Sequence, residues 1–412
     1  MIKKKINIWQ YFIPTLIVIS FLTRILFVVF YRDVHIDNEW GVLLDSLIKD
    51  KTYSYYKFYN EPIPSAYMPP LYVFFLYFIK IITSFEKTSF VNTIIFLQII
   101  FSTYSVYLFY KINKNFFPNW LSYINSSIFS LIPINIYICG QISSINLQIF
   151  LSLLFLRFLL LILDEKSRKN IFIFSIISGL LILTRGEFIL IFIFVFLFIF
   201  FKKKLTNTNL IQISLIILLV ISPFVIRNYL QFNQIFIVKS LGYNLWKGNN
   251  ELSVVGGQDY DNKIEFVDLQ LKLNKIEKNK FYEINRDNIF LAEAITNLKD
   301  DPLRYFKLFV KKFFSYYFID FDSKHAHYYN FFHIFPIVIL SILSFPGLFI
   351  FYKKKKSDNQ FLLLYLILNL FIFSLFFILP RYKLIILPVQ IILAAQFLEY
   401  FLKKININIP DK

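Results

Sequence analysis

Asp37 and Glu39, in the stretch HIDNEW at residues 35 to 40, set two carboxylates directly behind the first long apolar segment of the chain. Three further groups of ionisable residues lie in or beside apolar segments: Arg185 and Glu187 in LTRGEF, Arg227 in RNY, and Arg381 to Lys383 in PRYK. Arg24 lies inside the first segment itself. An ion at the centre of a membrane helix costs roughly 2.5–3.5 kcal/mol on insertion scales, so each of these residues is a candidate for function. Carboxylates facing several arginines suit an anionic substrate that meets a hydroxyl partner. Phosphate fits best, because a guanidinium fork binds its oxygens in pairs.

Structural roles compete with each of these readings. Asp37 suits the N-cap of an amphipathic helix running through Trp40, Leu43, Leu44 and Leu47. Arg227 and Lys383 could snorkel to the interface, and Arg185 with Glu187 could pair across a tight hairpin. His325 and His327, two apart in a polar loop, have no acidic partner at ligand spacing, which argues against a metal there. In SAYMPPLY, Pro69 and Pro70 open a helix, and GYNLWKGNN places turn residues behind Trp246, which suits a membrane interface.

The elements that must position these residues follow from composition. With 57% hydrophobic residues and 53 Phe in 412 residues, the chain is too apolar for a soluble domain and is expected to be an all-α polytopic membrane protein. The formal charge of +18 does not point to nucleic acid. Its lysines come in short runs beside apolar segments (Lys3 to Lys5, Lys202 to Lys204, Lys353 to Lys356, Lys403 and Lys404), which is the positive-inside pattern. The single Cys139 excludes an intrachain disulfide framework. The first segment is too long for a signal-peptide core and has no small-residue cleavage site, so it is expected to stay as a helix.

Apolar segments are expected at 9–31, 70–85, 90–110, 119–138, 144–163, 171–183, 187–201, 209–227, 331–352, 361–379 and 383–402. Hydrophilic stretches at 32–69 and 229–330 separate them, the longer one too charged for a substantial domain of its own. Placing every lysine run in the cytoplasm puts both stretches, and all four ionisable groups, outside. That parity holds only if one segment before Lys202 fails to cross, either 70–85 or 119–138. Within the longer stretch two helices are expected: one over Phe281 to Leu298, and one over Pro302 to Phe318. The second sets Lys307, Lys311 and Lys312 against Leu303, Phe306, Phe309 and Phe313, and it is expected to lie on the membrane.

In order along the chain, HIDNEW, YMPPLY, GLLILTRGEF, SPFVIRNY, NLWKGNN and PRYKLIILPVQIILAA resemble the GT-C class of membrane glycosyltransferases. Within it they resemble glycosyltransferase family 39, which includes protein O-mannosyltransferases and lipid A aminoarabinose transferases. The resemblance implies a GT-C fold of about 10–12 transmembrane helices, with an amphipathic first outer loop and a small outer loop region. It implies an N-terminal catalytic module over 1–228, an outer loop region over 229–330 and C-terminal helices over 331–412. The implied reaction is inverting transfer of a sugar from a polyprenyl phosphate to an acceptor hydroxyl, on the outer face of a bacterial-type inner membrane. The acceptor would be an envelope glycan or lipid rather than a protein. Asp37 would act as base and Glu39 would orient it or assist at a divalent cation, whose involvement stays open; no other cofactor is implied. Arg381, Arg185 and Arg227 would hold phosphate, in that order, with Glu187, Tyr382, Lys383, Arg24 and Tyr67 also binding substrate. The rival readings are a flippase or transporter of polyprenyl-linked oligosaccharide and an envelope-polymer polymerase or ligase.

Overall fold

The computed structural model describes residues 9–36, 38–261, 263–325, 328–354 and 356–405. All eleven expected apolar segments fold as helices: α1 (Trp9–Phe30), α3 (Pro70–Ile82), α4 (Lys87–Asn113), α5 (Asn119–Leu131) with α6 (Pro133–Tyr137), α7 (Ile145–Asp164), α8 (Arg168–Thr184), α9 (Phe188–Phe201), α10 (Asn207–Phe232), α15 (Phe331–Lys353), α16 (Ser357–Leu375) and α17 (Lys383–Lys404). The first hydrophilic stretch holds α2 (Glu39–Lys49) and a short antiparallel ribbon, β1 (Lys57–Phe58) with β2 (Glu61–Pro62). The second holds α11 (Leu241–Gly248), α12 (Val267–Asn274), α13 (Tyr282–Asp300) and α14 (Pro302–Tyr317). Among the described residues, seven helices are long and apolar enough to cross a membrane: α1, α4, α7, α10, α15, α16 and α17, the last counted from Pro380. The pair α5 and α6, bent by 58°, would make an eighth. The helices α8 and α9 have 17 and 14 residues. At 1.5 Å per residue they are short for a hydrocarbon core of about 30 Å.

Contacts between the ends of helices decide which segment fails to cross. Arg32, just past α1, donates to Asn92 in the first turns of α4 at 2.7 Å, so the end of α1 and the start of α4 share one end of the bundle. The last turns of α3 lie at that same end, where the Lys80 ammonium stands 4.5 Å from the Phe90 ring. The first turn of α3 is there too, because Pro70 and Leu71 line a groove with Leu183 at the end of α8 and Arg227 near the end of α10. The helix α3 therefore begins and ends on one side. The bent pair does run from end to end: Gly140, which closes it, accepts from the Asp33 amide at 2.8 Å. Its break follows from Pro133, which lacks an N–H and restricts Ile132 to extended backbone. Of the two candidates left open by parity, 70–85 is the one that does not traverse the bundle. Lys204, Lys356, Asp164 and Asp358 gather at the opposite end, as the lysine runs require, while Lys3 to Lys5 lie outside the described residues.

The core sits on α4, α7, α16 and α17, whose apolar windows are 61–72% buried, whereas α1 and α10 are 28% buried and face outward. Polar side chains inside this core are spent on backbone. Gln98 donates to the carbonyls of Cys139 and Gln141 at 3.1 and 3.0 Å, and Asn146 to that of Ile138 at 2.8 Å, which restores partners to the broken segment. Close approach fixes α15 on α17, since a Cβ at Gly347 would stand 1.9 Å from the Leu393 carbonyl oxygen.

Four expectations for the hydrophilic stretches change. The cap of α2 is Asn38, whose side chain accepts from Trp40 N at 3.1 Å and Gly41 N at 3.4 Å, so Asp37 is not the capping residue; Asp37 itself lies outside the described residues. The second stretch does build a core of its own, with Trp246 packed on Phe266, Leu269, Leu273, Phe290 and Ala294. Trp246 is 1% exposed, so it anchors that core rather than a membrane interface. Along α14, Leu303, Phe306, Lys307 and Lys311 are exposed as expected, but Lys312 is buried, its ammonium donating to Gly248 O at 2.7 Å and Asn249 Oδ1 at 3.1 Å.

Candidate active site

The two hydrophilic stretches meet at the loop end of the bundle. Ser65 and Ala66, just before the Pro69–Pro70 pair, are clamped from both sides. The Glu283 carboxylate on α13 accepts from Ser65 Oγ at 2.9 Å and from Ala66 N at 2.5 Å. Arg227 donates to Ser65 O at 2.6 Å and to Tyr53 O at 3.2 Å, and Lys239 N donates to Ala66 O at 2.7 Å. Burial raises the Glu283 carboxyl to about 7, against the pull of its Ser65 and Ala66 donors.

Glu39 opens α2, where a carboxylate interacts favourably with the positive end of the helix. Gly41 lets the chain fold back on that turn: a Cβ there would sit 1.7 Å from the Ile36 carbonyl oxygen. Any side chain at residue 41 would push the Ile36 backbone off the helix. Glu39 reaches Tyr55 and Tyr67 electrostatically, and both hydroxyls are pushed up, first by burial and then by that carboxylate. Tyr67 stands 5.7 Å from Tyr55 and 6.1 Å from Tyr243, ring to ring.

A basic group lies further along the same wall. Arg185, at the end of α8, places its guanidinium 5.4 Å from the Tyr382 ring, donates to Gln148 Oε1 at 3.2 Å and stands 3.9 Å from Glu187. The exposed Arg381 flanks the same ring at 5.9 Å. Tyr382 packs 6.4 Å from Phe377, and Lys247 sits 5.3 Å from Phe377 and 5.7 Å from Tyr243. A continuous line of contacts, Tyr67 to Tyr243 to Lys247 to Phe377 to Tyr382, thus joins the surroundings of Glu39 to Arg185 and Arg381. Asp259 holds Lys247 at 2.5 Å and takes the Tyr243 hydroxyl.

Of the expected site residues, the fold brings Glu39, Tyr67, Arg185, Glu187, Arg381 and Tyr382 onto this wall. It places three others elsewhere. Arg24 is buried between α1 and α4, donating to Ser102 Oγ at 2.8 Å and Ser20 Oγ at 2.6 Å, and is a helix-packing residue. Lys383 is also buried; its ammonium donates to the carbonyls of Tyr316, Tyr317 and Phe318, so it closes the end of α14 and neither snorkels nor faces a substrate. Arg227 is held by the clamp over the rings of Tyr53, Phe224 and Phe232, and lines a groove of about 680 Å³ with Pro64, Pro70, Phe74, Leu183 and Pro223. His327 lies outside the described residues. Among the described residues no three His, Cys, Asp or Glu side chains come together to hold a metal ion.

Sequence reading alone passes over Glu283, Arg286, Tyr243, Lys247 and Asp259. All lie in the charged stretch 229–330, where each resembles ordinary solvated polarity. The one available signal was Lys247 inside NLWKGNN.

Residues 68–226 match the model of the dolichyl-phosphate-mannose-protein mannosyltransferase family. No curated protein sequence matches the chain significantly. Among solved structures, the chain is similar to the archaeal oligosaccharyltransferase AglB from Archaeoglobus fulgidus in complex with an inhibitory peptide and a dolichol-phosphate, at 15% identity and TM-score 0.55, over 98% of this chain and 53% of that one. The apo form of the Archaeoglobus fulgidus enzyme gives 15% identity and TM-score 0.54, over 96% of this chain and 51% of that one. Its complex with zinc and sulfate gives 16% and 0.52, over 95% and 49%. The chain spans about half the length of these relatives. By its helical architecture the chain is an integral, multi-pass membrane protein with the GT-C fold of these structures, and over 68–226 it is similar to the mannosyltransferase family.

Proposed function

We propose that this protein is an inverting glycosyltransferase, moving a sugar from a polyprenyl-phosphate-linked donor to a hydroxyl of an envelope glycan or lipid, at the outer face of a bacterial-type inner membrane. The observation that carries this reading is the shared wall at the loop end, with Glu39 at one side and Arg185 and Arg381 at the other. The groove beside Arg227 supports a lipid substrate: it is lined mainly by apolar residues, several from α3 and α10, and is within the 300–1,000 Å³ usual for ligand sites. The dolichol-phosphate held by the archaeal enzyme supports the same donor class.

In the reaction, the Asp37 carboxylate takes the proton of the acceptor hydroxyl as its oxygen attacks the anomeric carbon. The bond from that carbon to the phosphate oxygen breaks, and the electron pair leaves with the lipid phosphate. Arg185 and Arg381 stabilise the charge gathering there, a role for preorganised cations. One displacement inverts the anomeric centre. Glu39, at the start of α2, orients the loop that carries Asp37.

The test mixes purified protein with a radiolabelled polyprenyl-phosphate hexose and candidate acceptors. Wild type is expected to transfer label, Asp37→Asn to be slower by roughly 10²–10⁴, and Arg185→Gln or Arg381→Gln to lose about 10-fold or more in kcat. Equal transfer by Asp37→Asn, or none by wild type from any such donor, would sink the mechanism.

A further inference from the structure

Arg286, on α13, is half-buried at the meeting of the two hydrophilic stretches. Its guanidinium lies 5.4 Å from the Tyr243 ring, 5.9 Å from Tyr260 and 5.1 Å from Phe290. One hydrogen bond is spent, to the Tyr260 hydroxyl at 3.1 Å. The acids beside it on α13 serve other groups: Glu283 accepts from Ser65 and Ala66, and Asp287 from Tyr243 N at 2.9 Å. Among the described residues no carboxylate stands within ion-pairing distance of Arg286. A partly desolvated cation left without a counter-charge is costly to hold, and the cost is recovered when an anion arrives.

The surroundings are rich in hydroxyls and flat rings. Tyr55 and Tyr56 stand 4.9 Å apart, Tyr56 and Tyr282 5.1 Å, and Tyr55 and Tyr67 5.7 Å, all half-buried. The hydroxyls of Tyr55, Tyr56, Tyr67 and Tyr282 make no hydrogen bond among the described residues. Glu39 adds a carboxylate acceptor near Tyr55 and Tyr67. Such a set offers donors and acceptors for several hydroxyls, ring faces for C–H groups, and a single fixed fork for a carboxylate. A peptide would instead call for a strand edge long enough to pair with it, and β1 and β2 have two residues each.

We infer that the tyrosine cluster around Arg286 is an acceptor subsite for an acidic saccharide, with Arg286 on the sugar's carboxylate and Tyr67 on a hydroxyl facing Glu39. This rests on the transferase reading and names its acceptor class. The test is calorimetric titration of the full chain in nanodiscs, without donor. The probes are trigalacturonate, its methyl ester, inorganic phosphate and triglutamate. Trigalacturonate is expected to bind wild type at least about 10-fold more tightly than the other three, since one charge-assisted contact accounts for that ratio. Arg286→Gln should lose about that factor for trigalacturonate and leave the methyl ester unchanged. Tyr67→Phe, which keeps the ring and removes one hydroxyl, should weaken both severalfold, so the inference does not hang on one variant's folding. Phosphate or triglutamate binding as tightly as trigalacturonate would overturn it, as would unchanged binding by a folded Arg286→Gln. Binding is read apart from transfer: intact binding with no sugar transfer sinks the transferase reading alone, and turnover of the lipid donor with no saccharide binding sinks this inference alone.

Discussion

At the scale of single residues, Glu283 is a group whose chemistry the fold changes visibly. Its carboxyl moves from an ordinary value near 4.5 to about 7 because it is buried, so the folded protein holds a proton there that the unfolded chain has released. Between those values stability falls as pH rises, by at most about 3 kcal/mol for a shift of this size, and is flat above. Lys312 works in the opposite sense at higher pH: burial lowers its ammonium to about 7, so its contribution rises with pH from there toward the ordinary lysine value. Glu283→Gln keeps an acceptor for Ser65 and Ala66 without the charge. Its apparent Tm in detergent is expected to match wild type at pH 5 and exceed it at pH 8; an identical pH profile for the two proteins would show that Glu283 does not titrate as argued.

Among elements, α2 and the pair α15 with α17 make the clearest predictions. The helix α2 begins at Asn38, and Asn38→Ala should cost about 1 kcal/mol through the lost cap, with Asn38→Ser close to wild type, as read from thermal unfolding. Because the same turn carries Glu39 and adjoins Asp37, Asn38→Ala should also slow transfer, and unchanged kcat would separate the cap from the site. Gly347 lets α15 touch the backbone of α17 at Leu393. Gly347→Ala is expected to cost about 1–3 kcal/mol by forcing the helices apart, and Gly347→Leu to prevent a monodisperse preparation. A fully stable Gly347→Leu would show that this contact is not close.

For the whole molecule, the decisive arrangement is that α3 starts and ends at the loop end while the bent α5–α6 pair runs the full length. With cysteine introduced singly and an impermeant maleimide added to intact cells, Ser84→Cys and Gln258→Cys should label from the same side, and Lys203→Cys only after permeabilisation. Ser84→Cys labelling with Lys203→Cys would mean that α3 crosses. The sequence by itself determined a great deal here. Long apolar runs can satisfy their backbone in lipid only as helices, so all eleven segments were legible, and the lysine runs required that one segment not cross. The order of HIDNEW, LTRGEF and PRYK also carried the class resemblance. Which segment stays on one side was decided only by tertiary contacts, Arg32 on Asn92 and Lys80 on Phe90, because hydropathy has no term for where a helix ends relative to its neighbours. Tertiary structure also divided the cations. Arg24 and Lys383 satisfy backbone and hydroxyl oxygens within the packing, Arg227 clamps the first loop, and Arg185 and Arg381 meet at Tyr382. A lone arginine in a sequence reads alike in each of these places, since the cost of its charge depends on partners brought from more than sixty residues away.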